Sequence, residues 1–365
     1  MNPRNRVLAA LDLEEPDRVP IGEIGYDLKS ISSVLGIPLD EGAANHIRAV
    51  EKEIKILSRF IEALDLDVVP VNPSPPEGSP KIKRIDEKTW IDEWGAKYQY
   101  RDGIRWYIGP GLNDPSDIEK LEPPDPNAPG MMDGPEILVK KFKGERALAG
   151  MIPGPKMPYL ARGIDGYNID LFRRPSLAKK FMDMTTRYNI ELGKRLIEVG
   201  VDFIVMTGDV AYKSGPIVSV RHFREVFVPA ISEPARVFHK LGVKMVKHTD
   251  GYLEPILDDL VNTGIDGLHS IEPAAGMEVR KVKARYGERI SLWGGVDLSY
   301  TLSLGTRKDV VDEVKDRIAS AAPGGGYILS SSNSYSTAVK FENFKTMVEA
   351  GKKYGRYPQI KNRAK

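Results

Sequence analysis

Residues 243–251, VKMVKHTDG, form an apolar run that stops on an imidazole, a hydroxyl and a carboxylate. His248 and Asp250 are two positions apart, so on an extended backbone both side chains leave the same face. Other apolar runs end in a similar way. DFIVMTGDVAY (202–212) delivers Asp209 and Tyr212, and IDGLHSIEP (265–273) delivers His269 and Glu272. ISLWGGVD (290–297) ends on Asp297, and YILSSSNSYS (327–336) carries Asn333 and Tyr335. Near the start, RVPIGEIGY (18–26) offers Glu23 and Tyr26. His248, Asp250 and Glu272 would make a ligand set for Zn²⁺ or a similar divalent ion. The same groups, joined by Asp209, would equally make a hydrogen-bonded acid/base set without an ion. Each has a plainer role when taken alone: Asp209, Asp250 and Asp297 suit the N-cap of a following helix, and a single histidine is often structural. Together they argue for a site, because unpaired buried carboxylates are costly and a core does not collect them for stability.

To bring these groups together the chain needs elements that deliver strand ends to one place. Eight short apolar runs read as strands, at 18–25, 65–73, 146–154, 202–210, 243–251, 265–273, 290–297 and 327–334. Their near-continuous Val, Ile, Leu and Met predict burial on both faces, as in parallel sheets. Helical patterns lie between most of them, at 46–64, 175–200, 219–242, 254–264, 277–287, 307–325 and 340–355, several closing on glycine. Eight strands alternating with helices predict an α/β fold, a (β/α)8 TIM barrel, whose site forms at the carboxyl ends of the strands. The alternative, a doubly wound open sheet, usually has a glycine-rich phosphate turn after its first strand, and PIGEIGYD is not one. Residues 1–365 read as a single domain. One segment breaks the alternation: 80–109 holds three of the four tryptophans and predicts a small antiparallel β insertion after the second strand. The proline-rich LEPPDPNAPG (121–130) predicts a stiff surface loop. His46, His222 and His239 fall in helical patterns as surface or packing residues.

Composition sets the outer limits. A formal charge of +2 gives no electrostatic reason to expect nucleic acid or an anionic membrane. No run reaches the roughly 18–20 apolar residues of a membrane span. The first twenty residues have no apolar leader core, which predicts a cytoplasmic protein. Cysteine is absent, which removes disulfides, thiolate nucleophiles and sulfur-ligated zinc. Only Gln99 and Gln359 are glutamine, beside abundant Lys, Arg, Glu and Pro, a bias seen in proteins from hot habitats; a melting midpoint in the mesophile range would overturn it.

RVLAALDLEEPDRVPI, GVDFIVMTGDVA, HTDG with GIDGLHSIEP, LWGGVD and KFENFKTMVEAGKKYGRYP together resemble the uroporphyrinogen decarboxylase superfamily over nearly the whole chain. The resemblance implies a (β/α)8 barrel with its site at the C-terminal mouth, commonly in a homodimer, and it implies one of two chemistries. Porphyrinogen decarboxylases in the superfamily carry an arginine-rich motif after the first strand. GEIGYDLKS has no arginine there, and a substrate with many carboxylates would need such cations. The other chemistry is methyl transfer to or from the cobalt of a corrinoid carried by a separate protein. Thiol-methylating members hold zinc with a pattern like H-x-C and a distant cysteine. His248 stands at that histidine, Asp250 stands where the first cysteine would be, and no second cysteine exists. The resemblance therefore implies the branch that demethylates a small methylated substrate, such as a methoxylated aromatic. Under that reading His248, Asp250 and Glu272 stabilise the leaving oxygen as ligands or as an acid/base set, and Asp209 and Tyr212 position or protonate it. Glu23, Met206, Trp293, Asp297, Asn333 and Tyr335 would contact the substrate. The corrinoid protein would dock at the barrel mouth, where the tryptophan-rich insertion forms part of the rim or a dimer contact. A decarboxylase of an acid, small or tetrapyrrole, and a non-catalytic binding barrel are the competing expectations.

Overall fold

A computed structural model describes residues 1–38, 46–77, 83–101 and 104–357. Seven parallel strands follow one another in sequence and in space: β1 Val68–Val71, β2 Ala147–Ile152, β3 Phe203–Met206, β4 Lys244–Thr249, β5 Gly267–Ser270, β6 Ser291–Gly294 and β7 Tyr327–Ile328. The alternation of side chains sorts them into two cores. Val68, Ala149, Met151, Phe203, Val205, Val246, Trp293 and Ile328 share one buried cluster inside the curled sheet. Leu148, Ile204, Met206, Met245, Leu268 and Leu292 face outward into the larger core against the helices. Strands buried on both faces carry no polar alternation, hence their uniform apolar runs.

The expected first strand, 18–25, is shorter and less regular than its sequence suggests. Pro20 has no amide to donate, and the amide of Ile21 goes to the Asp67 carboxylate (2.7 Å) rather than to a strand carbonyl. The segment still touches both edges of the sheet. Leu329 N donates to Pro20 O (2.9 Å), Gly22 N to Leu329 O (3.2 Å), and Asp67 N to Ile21 O (2.7 Å). It thus takes the eighth place and links β7 to β1. Helix Pro3–Leu11, capped by Asn2, sends Val7, Ala10 and Leu11 into the inner core. Its Arg4 pairs with Asp202, just before β3, so this helix closes the N-terminal end of the barrel.

Outer helices include His46–Leu64, Asp133–Phe142, Pro175–Val199, Arg307–Ala321 and Phe341–Tyr354. The helix expected at 219–242 is broken into Val220–His222, a wider π turn Phe223–Phe227, and Val228–Lys240. The insertion lies between β1 and β2, and its described residues form four antiparallel strands where two or three were expected: Lys83–Arg84, Thr89–Ile91, Ala96–Arg101 and Ile104–Pro110. Its expected residues 80–82 and 102–103 lie outside the described residues. Trp94 anchors it, stacking near Phe181 and meeting Tyr188 edge-on at 5.3 Å between centroids. Among the described residues no helix is long and apolar enough to cross a membrane.

Candidate active site

Parallel register sets the polar groups side by side. His248 on β4 pairs with His269 on β5, which pairs with Trp293 on β6, so the three side chains form a row on one face. The loop after β3 is then fastened to β4 from several atoms. Lys247 Nζ donates to Thr207 O (3.1 Å) and Gly208 O (2.6 Å), Val210 N donates to Thr249 Oγ1 (3.0 Å), and Asp250 N donates to Asp209 Oδ1 (3.0 Å). These bonds bring Asp209 to the end of β4. One ligand atom each from Asp209, His248 and Asp250 lies within 4.8 Å of the others. His248 Nε2 stands 3.7 Å from Asp209 Oδ1, too far for a hydrogen bond. Asp250 is itself oriented, accepting from Ser270 Oγ (2.7 Å) and from Asn333 Nδ2.

The electrostatics follow from burial. Desolvation, helped by nearby Lys247 and Lys156, pushes His248 down to about 3, so its ring is neutral near pH 7. Burial, with Asp209 alongside, pushes Asp250 up to about 7. Lys247 is wholly buried and falls to about 7 for the same first reason, with its ammonium satisfied by backbone carbonyls alone. A neutral imidazole and two converging carboxylates suit a divalent ion that prefers nitrogen and oxygen donors and keeps open positions.

Glu272, expected in that ligand set, is not part of the cluster. Its Oε2 accepts from Gly251 N (3.0 Å) and its Oε1 faces Lys213 Nζ at 3.8 Å. It pins the turn after β4, while Asp209 takes the third place in the cluster. Four residues expected at the substrate are closed off from solvent. Glu23 is 0% exposed and accepts from Ser331 N and Ser331 Oγ. Met206 points outward with Ile204, the opposite phase from Val205. Trp293 lies inside, its Nε1 donating to Gly22 O (2.8 Å). Tyr335 packs on Phe60 and Phe344 in the outer core. Asp297 has the plainer role, capping Leu298–Leu302 through Ser299 N and Tyr300 N. Asp209 and Asp250 cap no helix, since Ser219 and Leu253 hold the N-cap positions that follow them. Tyr212 is half exposed beside the site, with its carbonyl accepting from Tyr252 N.

A cavity of about 1340 Å³ opens between the ends of β1–β3 and the insertion. Trp90, Trp94, Tyr98, Tyr100 and Tyr188 give it an aromatic wall. It does not contain the cluster itself; it reaches toward it at Thr207, two residues before Asp209, and at Lys156.

A parallel α/β barrel with a polar cluster at the carboxyl ends of its strands is the arrangement in which barrel enzymes place their active sites. The profile of the uroporphyrinogen decarboxylase (URO-D) family matches residues 88–354, and the chain belongs to that family. Among solved structures it is similar to a methyltransferase from Methanosarcina mazei, with a TM-score of 0.74 and 21% identity, covering 97% of this chain and 99% of that one. At that identity the likeness speaks for the fold. Dispersin B (TM-score 0.39, 10% identity, 85% of this chain and 95% of that) and a chitinase from Chromobacterium violaceum (0.36, 12%, 82% and 95%) are too distant to carry an argument. No curated protein matches the chain.

Proposed function

We propose that the protein is a methyltransferase that passes a methyl group from a small methylated compound, first among them a methoxylated aromatic, to the cobalt of a corrinoid held by a separate protein. The observation that carries this reading is the convergence of His248, Asp209 and Asp250 in a chain without cysteine. Such donors suit a leaving oxygen rather than an incoming thiol. The methyl carbon would take the electron pair of its new bond from the reduced cobalt(I) of the partner protein's corrinoid, and the breaking carbon–oxygen bond would leave its own pair on oxygen. That oxygen needs positive charge or a proton. Zn²⁺ held by His248, Asp209 and Asp250 would supply Lewis acidity there. As the alternative without an ion, Asp250, pushed up to about 7, would hold a proton for part of the molecules near neutral pH and could donate it. Tyr212, half exposed at the rim, would hold the leaving oxygen in place. The aromatic wall of the large cavity offers stacking area for a planar ring. The acceptor protein would dock over the mouth, and the exposed Trp106, Tyr107 and Ile108 of the insertion would serve that contact or a homodimer.

The family's description favours a second reading, decarboxylation of an acid. The charges speak against a polycarboxylate, since acidic side chains on the cavity wall outnumber its three basic ones, Arg84, Lys120 and Lys156. Purified protein mixed with reduced cobalamin and a methoxyarene should give the absorption change of cobalt methylation, and His248→Ala should abolish it. CO₂ release from an acid, with no spectral change from any methyl donor, would establish the second reading instead.

A further inference from the structure

Behind His248 runs a chain of contacts that the proposed chemistry does not use. His248 Nδ1 and His269 Nδ1 are 2.8 Å apart, and both rings are buried. Two neutral imidazoles share such a contact only if one has its proton on Nδ1 and the other has a lone pair there. The direction is decided further along. His269 Nε2 meets Ser330 Oγ at 3.3 Å, while the same hydroxyl lies 2.8 Å from Ser331 O. A carbonyl has nothing to donate, so the shorter contact takes the single hydroxyl proton. The 3.3 Å contact then needs the proton on His269 Nε2, donated to Ser330 Oγ. His269 Nδ1 is left bare and accepts from His248 Nδ1–H. His248 Nε2 must therefore be bare as well. It faces Asp209 Oδ1 across 3.7 Å, two acceptors with no proton between them, beside Asp250.

We propose that Ser330 and His269 are positioning residues that hold His248 as the Nδ1–H tautomer, with the Nε2 lone pair aimed where Asp209 and Asp250 converge. The role of that lone pair as a ligand for a divalent metal ion rests on the reading given under Proposed function. A ligating histidine needs this backing, because the bond made by one ring nitrogen decides which nitrogen is free for the metal. His269 keeps its place through the register of β4 on β5, and Ser330 arrives on the chain after β7.

The chain has only five histidines, so ring-labelled ¹⁵N protein, stripped with a chelator, gives few enough signals to read each tautomer. The His248 signals are those lost in His248→Asn. The expected result is a proton on His248 Nδ1 and on His269 Nε2; a proton on His248 Nε2 overturns the proposal. Zinc titration of the stripped full chain adds a second readout. His269→Asn keeps an oxygen acceptor near the Nδ1 position and should retain most of the affinity. His269→Leu should lose roughly 10- to 100-fold. Equal affinities in the Asn and Leu variants would reduce His269 to packing and overturn the proposal. If wild type shows the expected tautomers but binds no zinc, the relay stands and the metal reading falls.

Discussion

Glu23 and Glu272 are both acids that the sequence offers to the site, and both serve the backbone instead. Glu23 lies fully buried on Ser331, and burial pushes its carboxyl from 4.5 up to about 7. Below pH 4.5 the group is protonated in both folded and unfolded chains, so its contribution is fully present and does not vary with pH. Between 4.5 and 7 the unfolded chain gives up a proton that the folded chain keeps. Stability from this group therefore falls as pH rises, by about 3 kcal/mol once pH exceeds 7. Urea unfolding of wild type and Glu23→Gln from pH 4.5 to 8 should show the variant gaining relative stability with pH; a constant difference would sink the assignment. Glu272 holds Gly251 N, a bond that a glutamine oxygen can also accept. If the cluster holds zinc as proposed, Glu272→Gln should keep it while Asp209→Asn loses it, as metal analysis of the two pure variants and wild type would show.

At the scale of elements, the loop after β3 is set by how closely β2's exit passes it. Gly154 has φ +70, and a Cβ there would lie 1.9 Å from Thr207 O and 2.9 Å from Met206 Cγ. Thr207 O is also one of the carbonyls that accept from Lys247. Gly154→Ala should cost on the order of 3 kcal/mol or more in chemical denaturation and displace Asp209, lowering the proposed methyl transfer in the protein that remains folded. A variant with wild-type stability would contradict that close approach. The strand phases were partly readable from sequence. Phe203 and Val205 alternate with Ile204 and Met206, so Met206 belongs to the helix side once Val205 is placed inside. A slip of one residue reverses the face, and apolar side chains on both faces conceal it.

For the molecule as a whole, closure of the barrel passes through Asp67. Its carboxylate takes Arg6 Nη1 (2.5 Å), Arg18 Nη1 (2.8 Å) and Ile21 N (2.7 Å), with no solvent exposure. These contacts hold the N-terminal helix and the 20–22 segment against β1. Asp67→Ala leaves both guanidinium groups short of a partner and should cost about 3–5 kcal/mol, measured as a lower denaturation midpoint. A loss below about 1 kcal/mol would mean that apolar packing alone seats the segment.

The H-x-D spacing at 248 and 250, the repeated strand–helix alternation and the missing cysteines were legible along the chain, because they depend on local periodicity and residue type. The tryptophan-rich insertion was legible for the same reason, though not its fourth strand. Only the tertiary structure decided that Asp209 rather than Glu272 joins His248, since a turn after β4 claims the Glu272 carboxylate. Only it buried Trp293 against Gly22 and set His269 against His248. Those choices depend on register between strands and on contacts between residues as far apart as Gly22 and Trp293, and the order of residues along the chain encodes neither directly.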